Sequence, residues 1–362
     1  MDFSLTEEQV LLRQLTERFV AARFPVAERA THQVPDTGHD ADNWAQLAEL
    51  GLLALPFPAD LGGLDGGTVE MLVLMEGLGR GLAAEPVLQE LYMGALPVAR
   101  LGGDRMADRI AAVIEGKAHF ALAWAEADRR YNVDRPATTA VEQEDGIRLT
   151  GTKTFVLAGS DTNGFVVTAA SADGVLGLYL VDADAPGLSR TAYRLVDDSC
   201  AEELRFDAVP AIALGGGIEA LESIADTVRL AASAEALGIM ETLFATTLDY
   251  VRTRHQFGTP IGRFQVVQHR MADLYATMEL ARSLLYRGAL AEADMRSTAV
   301  AAAKCYIGAN AVRLAEECVQ LHGGMGVSDE LIVGHGLKRL LVLSALFGDP
   351  DQELARYVAL TR

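Results

Sequence analysis

The sequence predicts an α+β protein that is mainly helical, with an N-terminal helical domain, a middle antiparallel β-domain and a C-terminal four-helix bundle. Three observations predict this order. Apolar residues recur at helical spacing in the first and last thirds, short apolar runs separated by turn residues fill the middle, and half of the residues are hydrophobic. The 362 residues are enough for two or three domains with sizeable cores.

Composition and charge exclude several classes of protein. There are 31 Lys and Arg against 50 Asp and Glu, a formal net charge of −19. The high hydrophobic content excludes intrinsic disorder, and the acidic balance argues against nucleic acid and anionic membranes as partners. Only three Cys occur, and we find neither a signal-peptide pattern nor an apolar run of roughly 18 residues. We therefore expect a cytoplasmic protein.

The N-terminal domain is predicted to span residues 1–119. Thr6 and Gln9 have the spacing of a capping box, in which the two side chains satisfy each other's backbone amides at a helix start. Asp42 is placed to cap a second helix, and helical spacing then continues, with interruptions, to about Ile114.

The middle β-domain is predicted to span residues 120–212. Glycine-containing turns separate short apolar segments, which is typical of strands in an antiparallel sheet. The predicted strands are Phe120–Trp124, Ile147–Leu149, Thr154–Leu157, Phe165–Thr168, Leu176–Val181 and Leu204–Phe206.

The C-terminal domain is predicted to span residues 213–362. Long helical patterns with short connections indicate an antiparallel four-helix bundle. The four segments are Ile218–Arg254, Gln265–Ala293, Ser297–Leu321 and Gly334–Leu346.

Two segments of this domain carry chemical information. In the first, cations including Arg254 end a long helix and are followed by Phe257, Gly258 and Gln265. The cations either complement the helix dipole or bind a phosphate, since a guanidinium presents a rigid fork of donors. In the latter interpretation, Phe257 offers an apolar face to a purine and Gln265 bonds polar atoms of the same ligand.

The second segment begins at Gln320 and contains the adjacent glycines Gly323 and Gly324. These glycines either end the preceding helix or let the backbone approach a ligand closely. The seven His form neither an HExxH motif nor a Cys/His cluster, so the sequence predicts no metal site.

Together, and in this order, the two segments resemble the C-terminal domain of the acyl-CoA dehydrogenase family, with its R-x-x-F-G helix end, a Gln eleven residues after the Arg, and a later Q-x-x-G-G. The resemblance covers nearly the whole chain. Further segments that carry it are Phe3–Gln9, Leu47–Gly51, Pro58–Gly63, Leu149–Lys153 and Arg229.

The resemblance implies the fold predicted above, FAD as cofactor and an acyl-CoA thioester as substrate. In the family a carboxylate abstracts the α proton while hydride leaves the β carbon for the flavin, and the subunits form homotetramers. The residues that would contact the FAD of a neighbouring subunit are Arg254, Phe257, Gln265, Gln320, Gly323 and Gly324.

This sequence departs from the family at the catalytic base. The usual base is a Glu before a Gly, about 27 residues after the Gln of Q-x-x-G-G, and Phe347 stands there. Some members place the base just before the Arg matched by Arg229, where this chain has Val228. The reaction requires a base that takes the α proton, and neither the Phe347 nor the Val228 side chain can accept a proton. Asp349, two residues after Phe347, is the carboxylate that could serve as a relocated base.

The flavin loop of the β-domain departs as well. Ala125–Asn132 replaces the family's T-E-P-G-A-G-S-D-type loop, and its Thr and Gly residues are gone. After Lys153 the family's W-I-T becomes Phe155-Val156-Leu157, which removes another hydroxyl. The features for holding the chain's own flavin are therefore degraded, whereas those for a neighbour's FAD remain.

In this asymmetry the chain resembles the base-lacking subunit of the heteromeric α2β2 acyl-CoA dehydrogenases of bacterial steroid degradation. The main hypothesis is therefore a subunit that helps a second, acyl-CoA dehydrogenase-like subunit to bind FAD, with steroid-CoA as a possible substrate. The alternatives are a self-sufficient homotetramer with a relocated base, a flavin monooxygenase relative, and a non-enzymatic protein that oligomerises through its bundle.

Overall fold

The computed structural model describes residues 4–25, 34 and 36–362. The fold class is confirmed, with helices first, a β-domain in the middle and helices at the end. Phe3, the first residue of the family-like opening segment, lies outside the described residues. In the part of the chain that is described, no helix combines the length and the apolar character needed to span a membrane.

In the described part of the first third there are five α-helices. They are α1 Glu7–Arg23, α2 Ala41–Glu49, α3 Thr68–Gly81, α4 Leu96–Gly102 and α5 Ala107–Ile114, with 3₁₀ turns at Ala59–Leu61 and Gly103–Met106 and a π-helical segment at Val87–Ala95.

The starts of α1 and α2 test the sequence signals. At α1 the predicted capping box is present, with the Gln9 amide 3.2 Å from the Thr6 hydroxyl and the Thr6 amide 2.9 Å from Oε1 of Gln9. At α2 the predicted cap is wrong by two residues. The carboxylate of Asp40 accepts from the amides of Asp42 and Asn43, because Asp40 has the extended backbone of an N-cap and Asp42 already lies in the first turn.

The middle third forms one mixed sheet of seven strands. They are β1 Phe120–Ala123, β2 Thr139–Gln143, β3 Gly146–Val156, β4 Gly164–Ala170, β5 Leu176–Asp182, β6 Leu188–Arg194 and β7 Cys200–Gly215. Because β5 pairs with both β4 and β7, strands β4, β2, β3, β7 and β5 close into a ring. Its interior holds fully buried apolar side chains, among them Leu149, Phe165 and Leu204.

The sheet differs from the predicted antiparallel one in two pairings. Strand β1 runs parallel to β4, and β2 meets β4 in parallel at the single pair Thr139 and Ala170. A parallel pair needs a long crossover, and about 40 residues separate β1 from β4. The sequence also missed β2 and β6, whose outward-facing residues break the apolar runs.

The last third contains four long helices close to the predicted ones, and a fifth. They are α6 Ile218–Thr253, α7 Gln265–Ala289, α8 Ala293–His322, α9 Ile332–Ala345 and α10 Pro350–Leu360, with a two-stranded ribbon of β8 His255–Gln256 and β9 Thr259–Pro260 and 3₁₀ turns at Ile261–Arg263 and Gly323–Val327. Helix α10 was missed. Asp349 caps it and Pro350 occupies its first position, which is a helix-start signal in its own right.

The chain divides into two compact units. Unit 1 comprises residues 1–30, 68–83 and 229–362, and unit 2 comprises residues 31–67 and 84–228, as far as these residues are described. The ring of strands belongs to unit 2, and helices α1, α3 and α7 to α10 belong to unit 1 with most of α6.

In unit 1, helices α3 and α6 pack with their backbones in close contact. A Cβ added to Gly79 would lie 2.2 Å from the Glu235 carbonyl oxygen, and one added to Gly238 would lie 2.1 Å from that of Glu76. This close packing buries the Glu76 side chain beside two cations, with its Oε2 3.4 Å from Arg80 and 3.8 Å from Arg282.

Burial is the main cause that raises the pKa of Glu76 to about 7, and the nearby Glu241 charge adds to it, while Arg80 and Arg282 oppose. The folded state therefore binds a proton that the unfolded state has lost between about pH 4.5 and 7. Stability from this group is present below pH 4.5 and is lost as the pH rises through 7.

We predict that Glu76→Gln removes this contribution to the pH dependence. The thermal midpoint of the variant, relative to that of the native chain, should increase from pH 5 to pH 8, because the native chain must bury a charge at high pH. The pH-dependent difference amounts to at most about 3 kcal/mol. Thermal unfolding monitored by circular dichroism measures it. The exposed Glu8→Gln is the control, and a constant difference across this pH range would contradict the prediction.

Candidate functional site

The R-x-x-F-G segment forms a tight hairpin at the end of α6. The Arg254 amide bonds to the Tyr250 carbonyl at 2.8 Å, and the Ile261 amide returns to the Arg254 carbonyl at 2.8 Å. Between β8 and β9, Phe257 and Gly258 both have positive φ, +53° and +79°. Two such residues are typical of a type I′ turn, but a Phe there is unusual. The Phe257 side chain is 92% exposed.

Arg254 is an exposed cation. Within residues 4–25, 34 and 36–362, no carboxylate forms an ion pair with it. Its neighbour Arg252 differs, since it lies 3.8 Å from the carboxylate of Asp249. An arginine held at a helix end without a counterion is suited to an anionic ligand.

Gln265 is the first residue of α7 and its side chain is exposed. The preceding N-cap residue, Phe264, provides no side-chain hydrogen bond to the helix, and its ring packs edge-on against Phe257 with centroids 6.2 Å apart. No Phe264 side-chain bond caps the N-terminus of this 25-residue helix, which lies next to the aromatic turn. The positive end of the helix dipole there is suited to an anion.

The Gln320 segment lies at the C-terminal end of α8. Gly323 ends the helix with φ +61°, and its amide bonds to the Gln320 carbonyl, so the helix-ending role is present. A Cβ added to Gly323 or Gly324 would meet nothing within 4 Å, so both glycines border open space.

A contact between α6 and α8 brings the two segments to the same end of the bundle. The rings of Tyr250 and His322 stack at 4.3 Å. All six predicted cofactor residues lie at this end and are exposed. They are Arg254, Phe257, Gln265, Gln320, Gly323 and Gly324. Together they offer a guanidinium, a helix N-terminus, an exposed aromatic face and glycines without nearby atoms, a donor set that fits the pyrophosphate and adenine of FAD.

Phe347, the residue that the sequence predicts to stand at the family's base position, is part of the core. Phe347 is 2% exposed, and its backbone has φ +57°. The next residue, Gly348, has φ +139°, and a Cβ added there would lie 2.4 Å from Oε1 of Glu353. The family's glycine is thus retained in a tight turn while the carboxylate before it is replaced by a buried ring.

A buried ion pair holds this turn. The Arg229 Nε donates to Oε1 of Glu353 at 2.8 Å, and the Arg229 Nη2 donates to the Phe347 carbonyl at 3.0 Å. Glu353 is fully buried. Burial raises its pKa, and the Arg229 charge opposes the rise.

Lys304 on α8 adds a third buried charge nearby. Its Nζ donates to the carbonyls of Leu343 and Ser344 at 2.9 and 2.7 Å, at the end of α9. Burial lowers its pKa to about 7, while the charge of Glu353 opposes this. The sequence offered a signal that was not used, because Lys304 interrupts an otherwise small and apolar stretch of α8.

The other two positions considered for the base, Asp349 in unit 1 and Val228 in unit 2, have structural roles. Asp349 accepts the Gln352 amide at 2.9 Å as the N-cap of α10. Val228 is fully buried and apolar.

In the loop that would face the flavin in the family, Glu126 is hydrogen-bonded to the ring of strands. The Glu126 carboxylate accepts from the amides of Ala137 and Thr138 and from the Lys153 Nζ at 2.7 Å. Lys153 is fully buried, and burial lowers its pKa to about 8 against the opposing charge of Glu126. Leu157, at the position of the family's Thr, is 2% exposed and offers no hydroxyl.

The fold and these motifs define a class of protein, the flavin-dependent acyl-CoA dehydrogenases. The family models described as "Acyl-CoA dehydrogenase, N-terminal domain" and "Acyl-CoA dehydrogenase, C-terminal domain" match residues 6–114 and 215–356. The chain belongs to the acyl-CoA dehydrogenase family, whose members are FAD-dependent oxidoreductases that act on CH–CH bonds of acyl-CoA.

Similar proteins include heteromeric ones. A solved structure described as "Tcur3481-Tcur3483 steroid ACAD G363A variant" is 31% identical, with a TM-score of 0.90 and 98% of each chain covered. The ChsE4-ChsE5 complex from Mycobacterium tuberculosis is 28% identical, with a TM-score of 0.91 and 99% of this chain and 98% of that one covered. The probable acyl-CoA dehydrogenase YngJ of Bacillus subtilis is 28% identical over 99% of this chain and 98% of its own length.

We predict that Arg229 and Glu353 are strongly coupled. Arg229→Met or Glu353→Leu alone should lower the free energy of unfolding by about 3–5 kcal/mol, because each leaves one buried charge without the partner that bonds it most closely. The double variant should lose clearly less than the sum of the two.

Thermal and urea unfolding of the four proteins measure this coupling. Arg252→Met, which removes an exposed arginine, serves as the control. Additive losses in the double variant would show that the pair does not hold the Phe347 turn.

Proposed function

We propose that this chain is the base-lacking subunit of a heteromeric acyl-CoA dehydrogenase and completes the FAD site of a partner subunit. One observation carries the proposal. Phe347 occupies the family's base position as a buried ring, and the buried Arg229–Glu353 pair bonds its carbonyl. The phenyl ring of Phe347 has no group that accepts a proton.

The division of roles follows from which half of the FAD site this chain retains. Arg254 would bind the pyrophosphate, and Phe257 would pack against the adenine. Gln265, Gln320, Gly323 and Gly324 would border the same part of the cofactor. When bound, FAD supplies the acceptor for the hydride that leaves the substrate. The proton on the α carbon would be taken by a carboxylate of the partner subunit.

The substrate class is an acyl-CoA thioester, and the similar structures favour a steroid-CoA. Two of them are named as two-component assemblies, and one of these names describes a steroid enzyme. An α2β2 arrangement fits such an assembly.

The self-sufficient alternative has a specific obstacle. Asp349, the nearest candidate for a relocated base, bonds the amide of Gln352 at the start of α10. To act on substrate it would have to abandon that cap, which contributes about 1 kcal/mol to a helix.

We predict that the chain purified alone is colourless and inactive. Co-expression with an acyl-CoA dehydrogenase-like subunit that carries the base should yield a yellow complex of higher native mass that oxidises acyl-CoA. Flavin absorbance, native mass and electron transfer to an artificial acceptor measure the three properties.

The other outcomes identify the alternatives. A yellow, active homotetramer of this chain alone would overturn the proposal, and loss of that activity in Asp349→Asn would identify a relocated base. Flavin-dependent oxygenation would indicate a monooxygenase. A colourless oligomer that gains no FAD with any partner would indicate a non-enzymatic protein.

We predict that Arg254→Ala weakens FAD binding by the co-purified complex. A charge-assisted bond to phosphate contributes about 1.5–3 kcal/mol, so the dissociation constant should rise roughly 10- to 100-fold. Fluorescence titration of FAD into the apo complex measures the change.

Two matched variants sharpen the test. Arg252→Ala removes a neighbouring arginine that pairs with Asp249, and should leave FAD affinity nearly unchanged. Arg254→Lys keeps the charge without the fork and should fall between the two. Equal affinities for Arg254→Ala and the native complex would remove Arg254 from the site.

A further inference from the structure

Unit 2 brings together three side chains that the sequence keeps far apart. His39 precedes α2, His119 precedes β1, and Asp161 lies in the turn between β3 and β4. The Oδ2 of Asp161 is 3.5 Å from Nε2 of His39 and 3.8 Å from Nε2 of His119. The three ligand atoms all lie within 4.8 Å of one another.

Hydrogen bonds on the far side of each imidazole set its tautomer. The His39 Nδ1 faces the Thr37 carbonyl at 3.3 Å, and the His119 Nδ1 faces the Glu90 carboxylate. Both partners are acceptors, so each Nδ1 carries the hydrogen in the neutral ring and each Nε2 presents a lone pair to the cluster. A histidine that donates to a carboxylate or carbonyl in this way is the usual arrangement of a metal ligand.

The two imidazoles are buried and packed, and the Asp161 side chain is half-buried. His39 and His119 are 3% and 8% exposed. The ring of Trp44 packs against both imidazoles, with centroids 5.6 and 5.1 Å away. The backbone amide of His119 bonds to Asn163 at 2.8 Å, close to Asp161 in the chain.

The carboxylates of the cluster have unused capacity. Among the described residues, Oδ1 of Asp161 and Oε1 of Glu90 are buried and have no hydrogen-bond partner. A purely structural His–carboxylate cluster would gain from pairing these oxygens, whereas a cation between the two Nε2 atoms and Asp161 would compensate the acidic charge directly.

We propose that His39, His119 and Asp161 bind a divalent transition-metal ion of the zinc class, with Glu90 orienting His119. Two imidazole nitrogens and one carboxylate oxygen are ligands that Zn²⁺ prefers. Ligands about 2.0 Å from a tetrahedral ion lie about 3.3 Å apart, so the observed separations require only small side-chain shifts. A water molecule would fill the fourth position.

The ion would join three separate parts of unit 2. It would connect the segment before α2 to the start of β1 and to the β3–β4 turn. Metal binding would therefore stabilise this unit, and nothing in the geometry requires that it take part in the dehydrogenation.

Metal titration of the full-length chain tests the proposal. After treatment with a chelator and its removal, calorimetric titration with Zn²⁺ should show one site per chain with a dissociation constant at or below the micromolar range. Co²⁺ should give the visible absorption of a four-coordinate site. Zn²⁺ should also raise the thermal midpoint.

Variants locate the site and separate it from adventitious binding. His39→Asn and Asp161→Asn should each weaken Zn²⁺ binding at least tenfold, and Glu90→Gln should weaken it 10- to 100-fold through His119. His255→Asn and His335→Asn, outside the cluster, should bind as the native chain does. His39→Asn and Asp161→Asn that keep the native circular dichroism spectrum and the native Zn²⁺ affinity would overturn the proposal, as would a native chain that binds no Zn²⁺ at about 100 μM.

Discussion

The buried ion pair between Arg229 and Glu353 is the interaction on which the turn at Phe347 and Gly348 depends. It joins α6 to α10 and, through the second nitrogen of the guanidinium, holds the carbonyl of Phe347. A buried pair of this kind gives little net stability, but removing one partner is costly because the other charge remains without compensation. The turn at Phe347 and Gly348 is therefore held in place, and with it the buried phenyl ring at the predicted base position.

Two parts of the family's site have had different fates in this chain. At the open end of the bundle, Arg254 forms no ion pair with a described carboxylate, and the Phe257 ring is exposed apart from its edge-on contact with Phe264. Phe257 keeps this place although its positive φ costs a non-glycine residue energy. At the base position, by contrast, apolar side chains are packed as in any core. An FAD site shared between subunits allows such a division, because one partner can lose the base while the other keeps it.

The buried charges of the chain are handled in one recurring way. Glu76, Glu126, Glu353 and Glu90 each lie next to a cation or an imidazole. In each case a partner offsets part of the cost of burying the carboxylate, from the same helix for Glu76 and from another segment for the other three. Glu90 and Glu353 each still keep one buried oxygen without a hydrogen-bond partner among the described residues, and so does Asp161 in the cluster with His39 and His119.

The sequence by itself determined the order of helical and β segments, the capping box at Thr6, the four long C-terminal helices and the absence of a carboxylate at Phe347 and Val228. These features are local, and a spacing of a few residues is enough to read them. The tertiary structure alone decided the closure of the strand ring, the parallel pairing of β1 with β4, the Arg229–Glu353 pair and the grouping of His39 with His119 and Asp161. Each of these joins residues tens of positions apart in the chain. Their contact depends on how helices and strands pack, which no pattern of neighbouring residues in the sequence reveals.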